Sequence, residues 1–82
     1  MSKESERAIV KGLRERLETA KHTAQGLADA SRRAFALIKL QRAADFIAQA
    51  ENNVGKSGVG FITGMAGANK EMTETREQYF SK

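Results

Sequence analysis

The chain has 82 residues, with 14 Lys and Arg against 10 Asp and Glu and a formal net charge of +4. A chain of this length buries only about 60% of its unfolded surface, so oligomerisation is expected to supplement one small core. The absence of cysteine excludes disulfides and thiolate metal sites, and the single histidine cannot form a metal site without carboxylate ligands. The interspersed charges are unlike the dense basic stripe of a strong DNA binder.

The first segment, residues 3–25, has the pattern of an amphipathic helix, because its apolar side chains recur every three or four positions. Ser2 or Ser5 is suited to cap the start of this helix, and Gly26 is expected to end it. The apolar positions are Ile9, Leu13, Leu17, Ala20, Ala24 and Leu27.

A second helix is predicted over residues 31–52, with Asp29 or Ser31 as its N-cap. Its apolar surface exceeds the arc of about 100° that a surface helix needs, so we expect it to pack on the first helix with one side and on another chain with the other. Because only Gly26 interrupts the pattern, one continuous helix over residues 3–52 is the alternative to a hairpin. The apolar positions are Phe35, Leu37, Ile38, Leu40, Ala44, Phe46 and Ile47.

The third segment begins with a glycine-rich stretch: five of the seven glycines lie within residues 55–67. Their density predicts a loop over residues 53–60, and the spacing of Phe61 and the apolar residues after it predicts a helix over residues 61–80. The predicted fold is all-α. It is a single domain in which a two-helix hairpin and a third C-terminal helix after the glycine-rich loop assemble as an oligomer.

The loop resembles a phosphate-binding sequence, since residues 50–57 read AENNVGKS. A P-loop follows a β-strand, whereas a helix precedes this match, so nucleotide hydrolysis is not expected. Backbone amides beside glycines can still form a nest for an anion, and a flexible connector is the alternative. The residues expected to bind the anion here are Gly55, Lys56, Ser57, Gly58 and Gly60.

Arg32 and Arg33 extend the expected anion site. Two arginines in the first turn of a helix oppose the helix dipole. They become favourable when a phosphate sits on the free amides, because guanidinium groups bind phosphate bidentately. Solvated arginines are the alternative. Phe61 is expected to cover the apolar part of the ligand, and no catalytic set, cofactor site or metal site is expected, because His22 pairs most simply with Glu18 on the helix surface.

The run SRRAFALIKLQRAADFIAQA, residues 31–50, resembles the second helix of the small helical-hairpin sponges by which phages capture cyclic nucleotide signals of the CBASS defence system. The family's histidine- and proline-containing entry segment has no counterpart here, so no ligand residue outside this run is carried over. The resemblance implies an all-α oligomer that holds nucleotides between subunits without chemistry. The matching positions are Arg32 or Arg33, Ala36, Leu37, Lys39, Leu40, Ala43 and Phe46.

The expected function is therefore non-enzymatic sequestration of an anionic small molecule, such as a cyclic nucleotide, by a homo-oligomer joined through residues 31–52. The alternative is an inhibitor that docks the Phe61–Met72 face on a host protein. A nucleic-acid binder, with affinity falling steeply as salt rises, is a third possibility. The uncharged stretch of residues 57–69 is too short for a membrane helix, which needs roughly 20 residues, and the expected location is the cytoplasm of a bacterial host cell.

Overall fold

The computed structural model describes residues 2–81 and consists of three α-helices followed by a π-helical turn. These are α1 (Lys3–Gln25), α2 (Ala30–Asn52), α3 (Gly60–Thr75) and the π-helical turn (Arg76–Phe80). They form an elongated bundle of 43 × 17 × 17 Å. The prediction of an all-α fold is confirmed for these residues.

The break between α1 and α2 has clear capping interactions. The Ser2 side chain accepts a hydrogen bond from the Ser5 amide at 3.1 Å and begins α1, and Gly26 ends it by donating its N–H to carbonyls of the last turn. Asp29 then accepts from the Arg32 amide at 2.7 Å and begins α2. Residues before and after Gly26 therefore form a hairpin and not one continuous helix.

Helix α2 runs antiparallel to both of its neighbours. Arg14 of α1 pairs with Glu51 near the end of α2 at 2.5 Å, and Lys39 of α2 pairs with Glu74 near the end of α3 at 2.9 Å. The core lies between the three helices. Its buried apolar side chains are Val10, Leu13, Leu17, Ala24, Ala36, Leu40, Ala43, Ile47, Ala50, Phe61, Ala68 and Met72.

Helix α3 covers part of the wide apolar surface of α2. A Cβ added to Gly64 would lie 2.6 Å from the Phe46 carbonyl oxygen and the Ala50 nitrogen, so the two backbones touch. The expected contact of α2 with another chain stays a prediction for its outer face. Phe35 and Ile38, on the outer face of α2, remain 56% and 53% exposed.

The C-terminal helix differs from the single helix expected over residues 61–80. Its α-helical part ends at Thr75 and a π-helical turn continues to Phe80. The Thr75 side chain is fully buried, and its hydroxyl donates to the Glu71 carbonyl at 2.6 Å. Within residues 2–81, none of the helices combines the length and the apolar character needed to cross a bilayer.

Candidate anion-binding groove

The loop between α2 and α3 contains two glycines in the left-handed region, Gly55 at φ +76° and Gly58 at φ +111°. Residues with a Cβ adopt this conformation only with strain. The Gly55 amide donates to Oε1 of Glu6 in α1 at 2.8 Å, and the Lys56 amide donates to the Asn53 carbonyl at 3.2 Å. Two amides of the predicted nest therefore already have partners within the chain.

The other predicted loop residues divide into two groups. Lys56, Ser57 and Gly58 are exposed to solvent. Gly60 packs instead against the Asn53 side chain, which lies where a Cβ would be placed. Glycine at this position therefore allows close packing between the end of α2 and the start of α3.

Phe61 lies in the core and is only 3% exposed, so its ring faces the bundle and not a ligand site. The face from Phe61 to Met72 that was expected to dock on a host protein is likewise turned inward, because α3 packs it against α2. The exposed apolar side chains at this end of the bundle are Val59 and Ile62, at 74% and 57%.

The predicted arginine pair lies at the opposite end of the bundle. Arg33 donates to the Leu27 carbonyl at 2.8 Å and ties the turn between α1 and α2, whereas Arg32 is exposed. At 1.5 Å per residue, the helix from Arg33 to Asn53 separates the arginines from the glycine loop by about 30 Å. Within one chain, the structure does not bring the two predicted groups together.

A groove of about 900 Å³ runs between the first half of α1 and the end of α2. The half-buried Val54 supplies most of its apolar surface, since Val10 is only 5% exposed, and Lys3, Arg7 and Lys11 line one wall. These three basic side chains follow each other at intervals of four residues, which places them on one face of α1 over about 12 Å.

The charge of this groove changes along its length. Among residues 2–81, Lys3, Arg7 and Lys11 have no carboxylate oxygen within 4.0 Å. Beyond them, Arg14 is paired with Glu51. Near the glycine loop, the groove therefore carries Lys3 and Arg7, with the Glu6 carboxylate held on the Gly55 amide beside them. Beyond Arg14 the lining is mixed, because it includes Glu15 and Glu18.

Sequence reasoning missed this basic row because acidic residues alternate with it along the chain. The available signal was the helical spacing of the lysines and arginines at positions 3, 7, 11 and 14. Once α1 is accepted as a helix, that spacing places the four basic residues on one face, which they share with Glu15 and Glu18 further along the groove.

Comparison with known proteins identifies no relative of this chain. No protein-family model matches it, and neither a curated protein nor a solved structure matches it. Within the part of the chain that the structure describes, no group of three His, Asp or Glu side chains is placed to hold a metal ion. The groove is therefore characterised by its own geometry and charge.

Proposed function

We propose that this protein binds and sequesters an anionic, nucleotide-type ligand in the groove beside α1, without changing it chemically. The observation that carries the proposal is the row of three basic side chains without carboxylate partners, Lys3, Arg7 and Lys11, beside an apolar surface. The volume of about 900 Å³ falls within the range of roughly 300–1,000 Å³ typical of small-molecule sites.

The groove offers different chemistry to the two parts of a nucleotide. Arg7 presents a planar fork of donors that matches a phosphate bidentately, and the two lysines supply mobile positive charge. Val54 offers an apolar surface to a base or sugar, whereas Val10 beside it is only 5% exposed. Because the cations extend over about 12 Å, they suit a ligand with two or three phosphates better than a single phosphate.

The resemblance of residues 31–50 to phage sponges supports the same ligand class. The predicted contribution of Lys56 remains compatible with the groove, since its neighbour Gly55 lies against Lys3. Arg32 and Arg33 would contribute only if a second copy brought its opposite end to the groove. The phosphate-binding role in this proposal therefore belongs to Lys3, Arg7 and Lys11.

Calorimetry with a panel of cyclic dinucleotides, cyclic trinucleotides and linear nucleotides with terminal phosphates tests the proposal. We expect at least one of them to bind with micromolar or lower Kd, and mass spectrometry to recover it unaltered. Arg7→Gln should weaken that binding about 10- to 100-fold, because a hydrogen bond to a charged group contributes about 1.5–3 kcal/mol.

Arg76→Gln is the matched control, since it removes the same charge from an exposed position in the π-helical turn, outside the groove and outside the proposed α2 interface. It should change the Kd less than twofold. A panel without measurable heat, or equal losses in the two variants, would contradict the proposal. Tighter binding of single-stranded DNA than of every nucleotide in the panel would favour the nucleic-acid alternative.

We also propose that two copies associate through the outer face of α2. Phe35 projects from this face with its ring 56% exposed, and a depression of about 280 Å³ lies further along the same helix, lined by Arg42, Asp45, Phe46 and Gln49. A two-fold interface requires one surface to complement itself. In an antiparallel pair, each Phe35 would enter the depression of the other copy, where Arg42 can stack on the ring.

A further inference from the structure

The contact between Glu6 and Gly55 joins residues that are 49 positions apart. The Glu6 carboxylate accepts the Gly55 N–H at 2.8 Å. It differs from the capping contact of Asp29, which serves the first turn of its own helix, because Gly55 belongs to a loop on the far side of α2 in the sequence. Glu6 therefore acts as an anion bound by a backbone amide of a distant segment.

This amide lies next to Lys3 and follows Val54, and both of these residues line the groove. A Cβ added to Gly55 would be 3.2 Å from the Cδ and Cε atoms of Lys3, and Lys3 also lines the groove. An N–H that binds a carboxylate oxygen in a charge-assisted hydrogen bond is equally suited to a phosphate oxygen. The Gly55 amide, the Glu6 carboxylate and Lys3 therefore lie together, so that one anion is already bound beside the first lysine of the basic row.

We infer that the Gly55 amide is a phosphate subsite of the groove. In the free protein the amide donates to the Glu6 carboxylate, and on binding a ligand phosphate replaces that carboxylate. The inference rests on the proposed function. Glu6 holds the loop in the conformation that presents the amide, and it competes with the ligand for that amide. Because Glu6 is only partly buried, its carboxylate can return to water when a phosphate replaces it.

The exchange has a consequence for selectivity. A phosphate that takes the amide must compete with a carboxylate tethered to the same chain, so a weakly charged ligand gains little from this subsite. A terminal phosphate or pyrophosphate carries more negative charge than a carboxylate and accepts more hydrogen bonds. The subsite therefore favours nucleotides with a terminal phosphate over carboxylate ligands of similar size and over cyclic nucleotides, whose phosphodiesters each carry a single charge.

Titration with inorganic pyrophosphate, followed by calorimetry and by the amide signal of Gly55 in nuclear magnetic resonance spectra, tests the inference. In the wild type, saturation should move the Gly55 signal. Glu6→Gln should lower the Kd for pyrophosphate about 3- to 10-fold, because a neutral amide oxygen is a weaker competitor for the N–H.

Glu4→Gln is the matched control, since Glu4 is an exposed residue of the same helical turn and its substitution changes the net charge equally. It should lower the Kd less than twofold. If wild-type protein binds pyrophosphate, but Glu6→Gln behaves like Glu4→Gln and the Gly55 signal stays in place, the subsite is refuted while the proposed function stands. If neither pyrophosphate nor any nucleotide in the panel binds to wild type or variants, the proposed function fails and the subsite fails with it.

Discussion

Lys39 joins α2 to the end of α3 in a small network of charges. Its ammonium group lies 2.9 Å from Oε1 of Glu74 and 3.5 Å from Oε2 of Glu71. The hydrogen bond to Glu74 raises the pKa of Lys39 from its ordinary value of 10.5, against the opposing effect of burial. The same hydrogen bond lowers the pKa of Glu74 from its ordinary value of 4.5, so both groups are charged at neutral pH.

Replacing Lys39 with methionine should lower the free energy of unfolding by about 1–3 kcal/mol at pH 7, because the Glu71 side chain, only 10% exposed, loses its nearest cation. Chemical denaturation measures this loss. Lys21→Met is the matched control: Lys21 pairs with the largely exposed Glu18 at 3.7 Å, so its loss should stay below about 0.5 kcal/mol. Equal losses in the two variants would show that the Lys39 network stabilises the fold no more than an exposed surface pair does.

The effect of Lys39→Met should also depend on pH, with a sign set by the two pKa shifts. The raised pKa of Lys39 means that its stabilisation is complete below 10.5 and is lost as the pH rises through the folded-state value. The lowered pKa of Glu74 means that its stabilisation is present above 4.5 and is lost as the pH falls through the folded-state value. The difference between wild type and variant should therefore be largest between these limits and should shrink on both sides.

The packing of α3 on α2 depends on Gly64, whose added Cβ would meet the backbone of α2. Gly64→Ala should lower the unfolding free energy by about 1–3 kcal/mol, because α2 and α3 must separate to admit the methyl group. Gly12 is the control, since a Cβ there would meet nothing within 4 Å. Gly12→Ala should raise stability by about 0.5–1 kcal/mol through helix propensity alone. Thermal unfolding of both variants checks the opposite signs, and a stabilising Gly64→Ala would refute the close contact.

At the level of elements, local signals predicted α1 and α2 well. Ser2 and Asp29 are N-cap types, and each accepts the expected amide hydrogen bond, because a capping interaction involves neighbours in sequence. The glycines were harder to interpret, since a glycine can mark either a left-handed backbone or a close approach. Gly55 has a positive φ, whereas Gly64 admits the backbone of α2, and only the tertiary structure separates these two uses.

At the level of the whole molecule, the candidate site was only partly accessible to sequence reasoning. The glycine loop borders the groove, but the basic wall comes from α1, which lies about 50 residues earlier in the chain. Arg32 lies far from the glycine loop because α2 is one uninterrupted helix, whose length separates the arginine from the loop by about 30 Å. No local pattern encodes which ends of three helices meet, so the site could be described only after the helices were packed.

Association through α2 is expected to appear as a two-fold dimer in sedimentation velocity experiments at tens of micromolar protein. Ile38→Asp should raise the dimer dissociation constant at least about 10-fold, since desolvating a carboxylate in the interface costs more than the 1.4 kcal/mol that corresponds to a factor of ten, even with Arg42 one turn away. Phe35→Ala should weaken the dimer as well, because it removes the ring that would fill the depression beside Arg42.

Ile62 provides the matched control for that substitution, because it is the same residue type at nearly the same exposure, 57% against 53% for Ile38, but lies on α3. Ile62→Asp should leave the dimer intact if α2 forms the contact. A larger effect of Ile62→Asp than of Ile38→Asp would move the interface to the start of α3, beside the glycine loop. A wild-type protein that remains monomeric throughout the concentration range would exclude self-association and leave Phe35 and Ile38 exposed on a single bundle.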